Sequence, residues 1–164
     1  MEILDSGFLE ALVAAAKSNS RLRQHHNLHQ NYDDPSQCLL NAIEPDSYIR
    51  PHRHTSDPKE ERLFAVRGLM ALLIFDDLGN VESILAFGTE RYGNDCAVGA
   101  SIPSHAWHTV IALEKGSILC EIKAGPFDPS QPKDLASWAP REGTKRANGY
   151  LNRLHKLVSE INSK

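Results

Sequence analysis

Two histidines one residue apart, His52 and His54, stand in the stretch Tyr48-Ile49-Arg50-Pro51-His52-Arg53-His54. Alternate side chains of an extended strand share a face, so both imidazoles project into one space, where each can bind a borderline metal at about 2.0–2.1 Å. Past a polar loop, Glu61 begins the next apolar segment and would add an oxygen ligand; Glu60 is the competing candidate in the charge run Lys59-Glu60-Glu61-Arg62. Much later, Ile102-Pro103-Ser104-His105-Ala106-Trp107-His108 sets another histidine just after a Pro-containing turn, where a new strand starts. His108 would close the site. Three imidazoles and one carboxylate call for a single divalent ion, and that mixed set suits Fe, Mn, Ni, Co or Zn.

Other groups are candidates for work beside the ion. If the extended conformation continues back through Pro51, Tyr48 and Arg50 join the face of His52. Arg50 would then neutralise a substrate carboxylate or phosphate through its forked, permanently charged guanidinium, and Tyr48 or His105 would move a proton. His105 reads equally as an additional ligand or a surface residue. His25, His26 and His29 have no carboxylate or Cys at ligand spacing and read as loop residues. Glu121 and Lys123 alternate with Cys120 and Ile122; the charged pair reads as outward, with the cavity mouth as the alternative. Cys38, Cys96 and Cys120 are odd in number and set among apolar residues, so they read as small core residues without a disulfide framework.

The elements that must position these groups are short strands. Segments of β character follow one another at Cys38 to Ile43, Ser47 to Arg50, Leu63 to Phe75, Val81 to Phe87, Cys96 to Ile102, Thr109 to Leu113 and Ser117 to Lys123. Gly68 splits the longest into two strands at a bend, and Asp76-Asp77-Leu78-Gly79-Asn80 is a strong hairpin turn. About eight strands with no helical pattern between them predict a sandwich or barrel. Asp5 or Ser6 caps a helix through about Lys17, Arg21 to Pro35 reads as loop, and Gly125 to Pro140, with Pro126, Pro129, Pro132 and Pro140, should wrap the barrel, anchored by Phe127 and Trp138. Leu151, Leu154, Leu157, Val158 and Ile161 mark an amphipathic helix from about Thr144 to Asn162.

The order Asp46-(x5)-His52-x-His54-(x6)-Glu61-(x6)-Gly68, then Pro103-(x4)-His108, resembles the two motifs of the cupin superfamily. It departs from them in Asp46 where a glycine is usual, in the six residues between His54 and Glu61, and in His105 and Ala112 where Gly and Asn are usual. More closely, Asp34-Pro35-x-Gln37-x-Leu39-Leu40-Asn41-Ala42, Tyr48 to His54, Ile102-Pro103 with Trp107-His108-Thr109, and Glu121-x-Lys123-x-Gly125-Pro126 with Trp138-Ala139-Pro140 resemble the WbuC-type cupin-fold metalloproteins, over roughly residues 21 to 143. The resemblance implies a mainly β fold, the cupin double-stranded β-helix or jelly-roll barrel with an N-terminal and a C-terminal helix. It also implies a place among surface-polysaccharide gene clusters and pairing of barrels as a homodimer. One domain is expected: 1–35 as helix and loop on the barrel, 36–125 as the barrel, 126–164 as wrap and helix.

Eighteen Lys plus Arg against 21 Asp plus Glu give a net charge of -3, which lacks the basic footprint of nucleic-acid binding. No apolar run reaches the roughly 18 residues of a membrane span, and the first 17 residues lack a basic n-region, so a cytoplasmic location is expected. The 164 residues, 41% hydrophobic and 24% charged, suffice for a real core. The expected function is a metal-dependent enzyme acting on a small polar or carbohydrate-derived molecule. Isomerase, epimerase, lyase and oxygenase chemistry all fit; the alternatives are a noncatalytic metal-dependent binding protein and a metal-free sugar-nucleotide isomerase-like cupin.

Overall fold

Asp5 accepts a hydrogen bond from the Phe8 amide (2.9 Å) at the start of helix α1, Ser6–Ser18, and so satisfies one of the donors a helix start leaves open. Leu12, Val13 and Ala16 form its buried stripe. The computed structural model describes residues 2–55, 58–93, 95–130 and 133–161. After α1 come strands β1 (Arg23–Asn27), β2 (Ser36–Ile43), β3 (His52–Arg53), β4 (Glu61–Arg67), β5 (Leu69–Phe75), β6 (Val81–Gly88), β7 (Gly99–Ile102), β8 (Trp107–Ala112), β9 (Ser117–Ala124) and β10 (Asp134–Leu135), then helix α2 (Lys145–Ile161).

The strands form two five-stranded sheets, ordered β1-β2-β9-β4-β7 and β10-β3-β8-β5-β6, with antiparallel pairing throughout. Met70, Leu72, Phe87, Ile102, Val110 and Leu119 meet between the sheets. The outer face of the first sheet packs on α1 through Leu40, Ala42 and Ile118. The outer face of the second packs on α2, where Ala71, Leu73, Phe75 and Ile111 meet Leu151, Leu154 and Val158. Covering both faces explains why β5 reads as an uninterrupted apolar run, since neither side can be polar. Mainly β with flanking helices, this is the jelly-roll architecture expected. Among the described residues no helix is long and apolar enough to cross a membrane.

The bend between β4 and β5 requires Gly68, which has φ +78° and no room for a side chain: a Cβ there would lie 2.9 Å from the Ser117 Cα. Two expectations are corrected. Arg21 to Pro35, read as loop, contains β1, whose Arg23 to Asn27 pair with Ile43 to Leu39 of β2; its polar residues carried no apolar alternation. Ser47 to Arg50, read as a strand, is irregular, and the strand forms at His52–Arg53 instead. Pro51 lacks the N–H a ladder needs, and the chain enters the sheet only beyond it. The wrap contributes β10, which pairs with β3, and Trp138 packs on Phe75 with ring centroids 5.1 Å apart. Phe127 packs on Tyr32 at 5.2 Å. Pro132 and Asn162, and the side chain of Ile161, lie outside the described residues.

Candidate metal centre

His52, on β3, pairs directly with His108 on β8, their ring centroids 4.4 Å apart. Glu61, the first residue of β4, reaches across from the opposite sheet. His54, just past β3, completes a cluster whose four potential ligand atoms all lie within 4.8 Å of one another. Glu61 is 4% exposed, with Oε2 3.0 Å from His108 Nε2 and Oε1 3.0 Å from His54 Nε2. Glu60 is exposed and lies 3.4 Å from Arg62, away from the cluster.

The backbone fixes how two of the rings present themselves. His52 Nδ1 lies 3.1 Å from the Arg50 carbonyl and His108 Nδ1 lies 2.9 Å from the Ala106 carbonyl. A carbonyl only accepts, so each Nδ1 carries the proton and each Nε2 turns inward. Such bonds from the outer ring nitrogen hold a metal-ligating imidazole in its tautomer and orientation. The His54 Nε2 is buried and, although 3.0 Å from Glu61 Oε1, has no hydrogen-bond partner among the described residues. A buried nitrogen without a hydrogen-bond partner among the described residues, two inward Nε2 atoms and a buried carboxylate between them fit a divalent ion held by His52, His54, Glu61 and His108.

Electrostatics keep the donors in ligand form. Burial of His52 and, after it, the Lys133 ammonium depress its pKa well below the ordinary histidine value, so it stays a neutral imidazole. Burial opposes ionisation of Glu61, but the neighbouring His108 and His54 rings outweigh it and hold the carboxyl below the usual carboxylate range. Lys123 Nζ lies 3.4 Å from Glu61 Oε1 and 3.5 Å from Glu121 Oε1. Desolvation disfavours that ammonium, yet Glu121 and Glu61 together raise its pKa. Burial, then the neighbouring Glu61, raises the pKa of Glu121.

The cluster opens into a cavity of ≈ 390 Å³. Ile49 lines it, whereas Tyr48 and Arg50 do not. The Tyr48 hydroxyl donates to the Pro140 carbonyl (3.1 Å) and its ring joins the core under α2. The Arg50 guanidinium donates to the Ala136 carbonyl through Nε at 3.1 Å and Nη2 at 2.5 Å. The expected common face with His52 does not extend through Pro51, because strand parity holds only along regular strand. His105 is exposed in a turn at φ +70° and is absent from the cavity wall.

The sequence reading missed other wall residues. Glu121 and Lys123 face inward, together with Leu119 two residues earlier; continuing the parity of that apolar residue would have found them. Asn41, paired with His25 on one side and Leu119 on the other, also lines the cavity, and its Oδ1 is buried without a hydrogen-bond partner among the described residues. Lys133 enters from the wrap, with Nζ 3.4 Å from His52 Nε2. No local sequence signal marks it, since its place depends on the pairing of β10 with β3. A second cavity of ≈ 620 Å³ lies between α2 and the Ser20 to Arg23 segment, sharing Arg21 and Arg23 with the first but none of the metal cluster.

The model of a domain of unknown function, DUF6016, matches residues 4–87. No curated protein matches in sequence. Among solved structures, TT1209 from Thermus thermophilus is similar at TM-score 0.51 and 19% identity, over 76% of this chain and 98% of its own. An oxalate oxidase in complex with the substrate analogue glycolate is similar at TM-score 0.54 and 11% identity, over 73% of this chain and 57% of its own. Oxalate decarboxylase from Bacillus subtilis at pH 4.6 is similar at TM-score 0.50 and 16% identity, over 69% of this chain and 27% of its own. Likeness at such identities shows the fold, that of cupins, and the chain spans only part of the last two. The barrel has the cupin fold, and its cluster of three histidines and a glutamate could hold a metal ion.

Proposed function

The chain belongs to the DUF6016 family, whose description assigns no reaction, and from the site itself we propose a divalent-metal-dependent enzyme acting on a small polar, carbohydrate-derived substrate. The observation that carries this reading is the position of the cluster: His52, His54, Glu61 and His108 sit in the wall of a cavity, not sealed in the core. A purely structural site would be closed by its protein ligands, whereas a catalytic one leaves room for substrate. A divalent ion held there supplies Lewis acidity toward a carbonyl or hydroxyl oxygen.

The chain's own groups do the rest. The Arg50 and Ala106 carbonyls hold the imidazoles of His52 and His108 in orientation, and Lys123 balances Glu61 and Glu121 in a poorly hydrated wall. Glu121 lines the cavity, and the upward push on its pKa suits it to carry a proton at its carboxyl oxygen. The motif likeness to WbuC-type cupins supports a finer assignment, to surface-polysaccharide metabolism. Protein purified from metal-supplemented medium should carry about one divalent ion per chain by elemental analysis, and a chelator should abolish turnover of sugar-derived substrates. Turnover that survives metal removal unchanged would refute the reading.

A further inference from the structure

Two lysines flank the ligand cluster from different elements. Lys123, from β9, lies 3.4 Å from Glu61 Oε1, and Lys133, from the wrap, lies 3.4 Å from His52 Nε2. Because His52 Nδ1 carries its proton toward the Arg50 carbonyl, Nε2 offers a lone pair and the Lys133 ammonium donates to it. A divalent ion would claim that same lone pair, so Lys133 must release His52 and remain beside a second cation. The cavity wall then holds two ammonium groups and a dication against the carboxylate of Glu61 and the carboxyl group of Glu121. Arg21 and Arg23, at the far side, are paired with Glu142 at 3.0 and 2.8 Å. Positive charge therefore exceeds negative charge around the ion, in a space where water screens poorly.

Resting on the metal-dependent reading above, we infer that the substrate is acidic: a carboxylate or phosphate oxyanion sits between the metal position and the ammonium groups of Lys133 and Lys123, with a hydroxylated body reaching toward Asn41. Such an anion relieves the repulsion by bridging the cations, and ammonium groups serve as point-charge donors to either kind of oxyanion. Asn41 supplies the second half of the recognition. Its buried Oδ1 has no hydrogen-bond partner among the described residues, and a buried acceptor left unmet is costly; a substrate hydroxyl would satisfy it.

The test is binding, read by calorimetry on protein loaded with Zn(II), with glucuronate, glucose 1-phosphate and glucose as probes. At least one of the two acidic probes should bind ten-fold or more tightly than glucose, and which of them does so tells carboxylate from phosphate. Lys133→Met should shrink that preference at least three-fold with Zn(II) content and melting temperature unchanged. Should this variant fail to fold, Lys123→Gln should shrink the preference by the same factor with Zn(II) content unchanged. Equal binding of all three probes, no binding by any, or a preference untouched by the substitution overturns the inference while the metal site stands. A protein that takes up no Zn(II) or other divalent ion overturns the metal reading and this inference with it.

Discussion

Glu61→Gln isolates the charge of the carboxylate while keeping its shape, and its effect can be worked from the site. Glu61 is the one acidic donor among the four, lies 3.0 Å from both His54 and His108, and is 4% exposed. Partners that only orient metal ligands already contribute about 10–100-fold to affinity, so losing a direct anionic ligand should cost about 100-fold or more. A ligand at about 1,000 times its Kd stabilises a protein by about 4.1 kcal/mol, and weakening it 100-fold removes about 2.7 kcal/mol of that. For a chain of this length each kcal/mol is about 2–4 °C in Tm. The metal-dependent rise in Tm should therefore shrink by about 5–11 °C in Glu61→Gln. Without metal the variant should also melt lower, because the Lys123 ammonium loses one of its two carboxylate partners and keeps only Glu121, at a cost of about 1–3 kcal/mol. The assay is thermal unfolding with and without added metal, with Glu60→Gln as the exposed control. A metal-dependent rise as large in Glu61→Gln as in the parent would show that Glu61 is not a ligand and that the cluster is misread.

Three further outcomes are expected. His52 has a folded pKa depressed by burial, so the unfolded chain takes up its proton first as pH falls; metal-free stability should hold above about pH 6.5 and fall below it by up to about 1.4 kcal/mol per pH unit, with His52→Asn flattening that slope in chemical denaturation. Gly68→Ala should destabilise by about 2 kcal/mol or more, from positive φ and the clash with Ser117, seen as a lower Tm with metal stoichiometry retained. Tyr48→Phe should lose only the bond to the Pro140 carbonyl, about 1 kcal/mol, and elemental analysis should find its metal content unchanged; a loss of metal would return Tyr48 to the site.

The metal cluster was legible because its signal is local and chemical. His52 and His54 are adjacent on the chain, and Glu61 and His108 each stand where a segment of β character begins, so no knowledge of sheet order was needed to propose them. Tyr48 and Arg50 were assigned by the same parity, but regular strand ends at Pro51 and the rule ends with it. Helix α1 and the break at Gly68 were legible for similar reasons, a capping acid in one case and a glycine inside a strand pattern in the other. Lys133 was not, because only the long-range pairing of β10 with β3 brings it to the cluster.

The assignments of Glu121, Lys123 and β1 failed for one shared physical reason. Alternation predicts apolar residues inward and polar residues outward when the inside is a dry core. Here the interior is apolar where Met70, Leu72 and Phe87 meet and polar where the cavity lies. Along β9 the inward positions are Leu119, then Glu121 and Lys123, so the inner face changes from apolar to charged within one strand. Across that face His25 pairs with Asn41, and Glu61 with Lys123. A row of polar residues directed inward costs desolvation that the core does not repay, and mutual pairing meets only part of it, as the Asn41 oxygen, without a hydrogen-bond partner among the described residues, shows. That unrepaid cost is the physical mark of a binding face. It makes β1 look like loop in the sequence, and it means that the strand with the weakest β pattern borders the cavity where a ligand would sit.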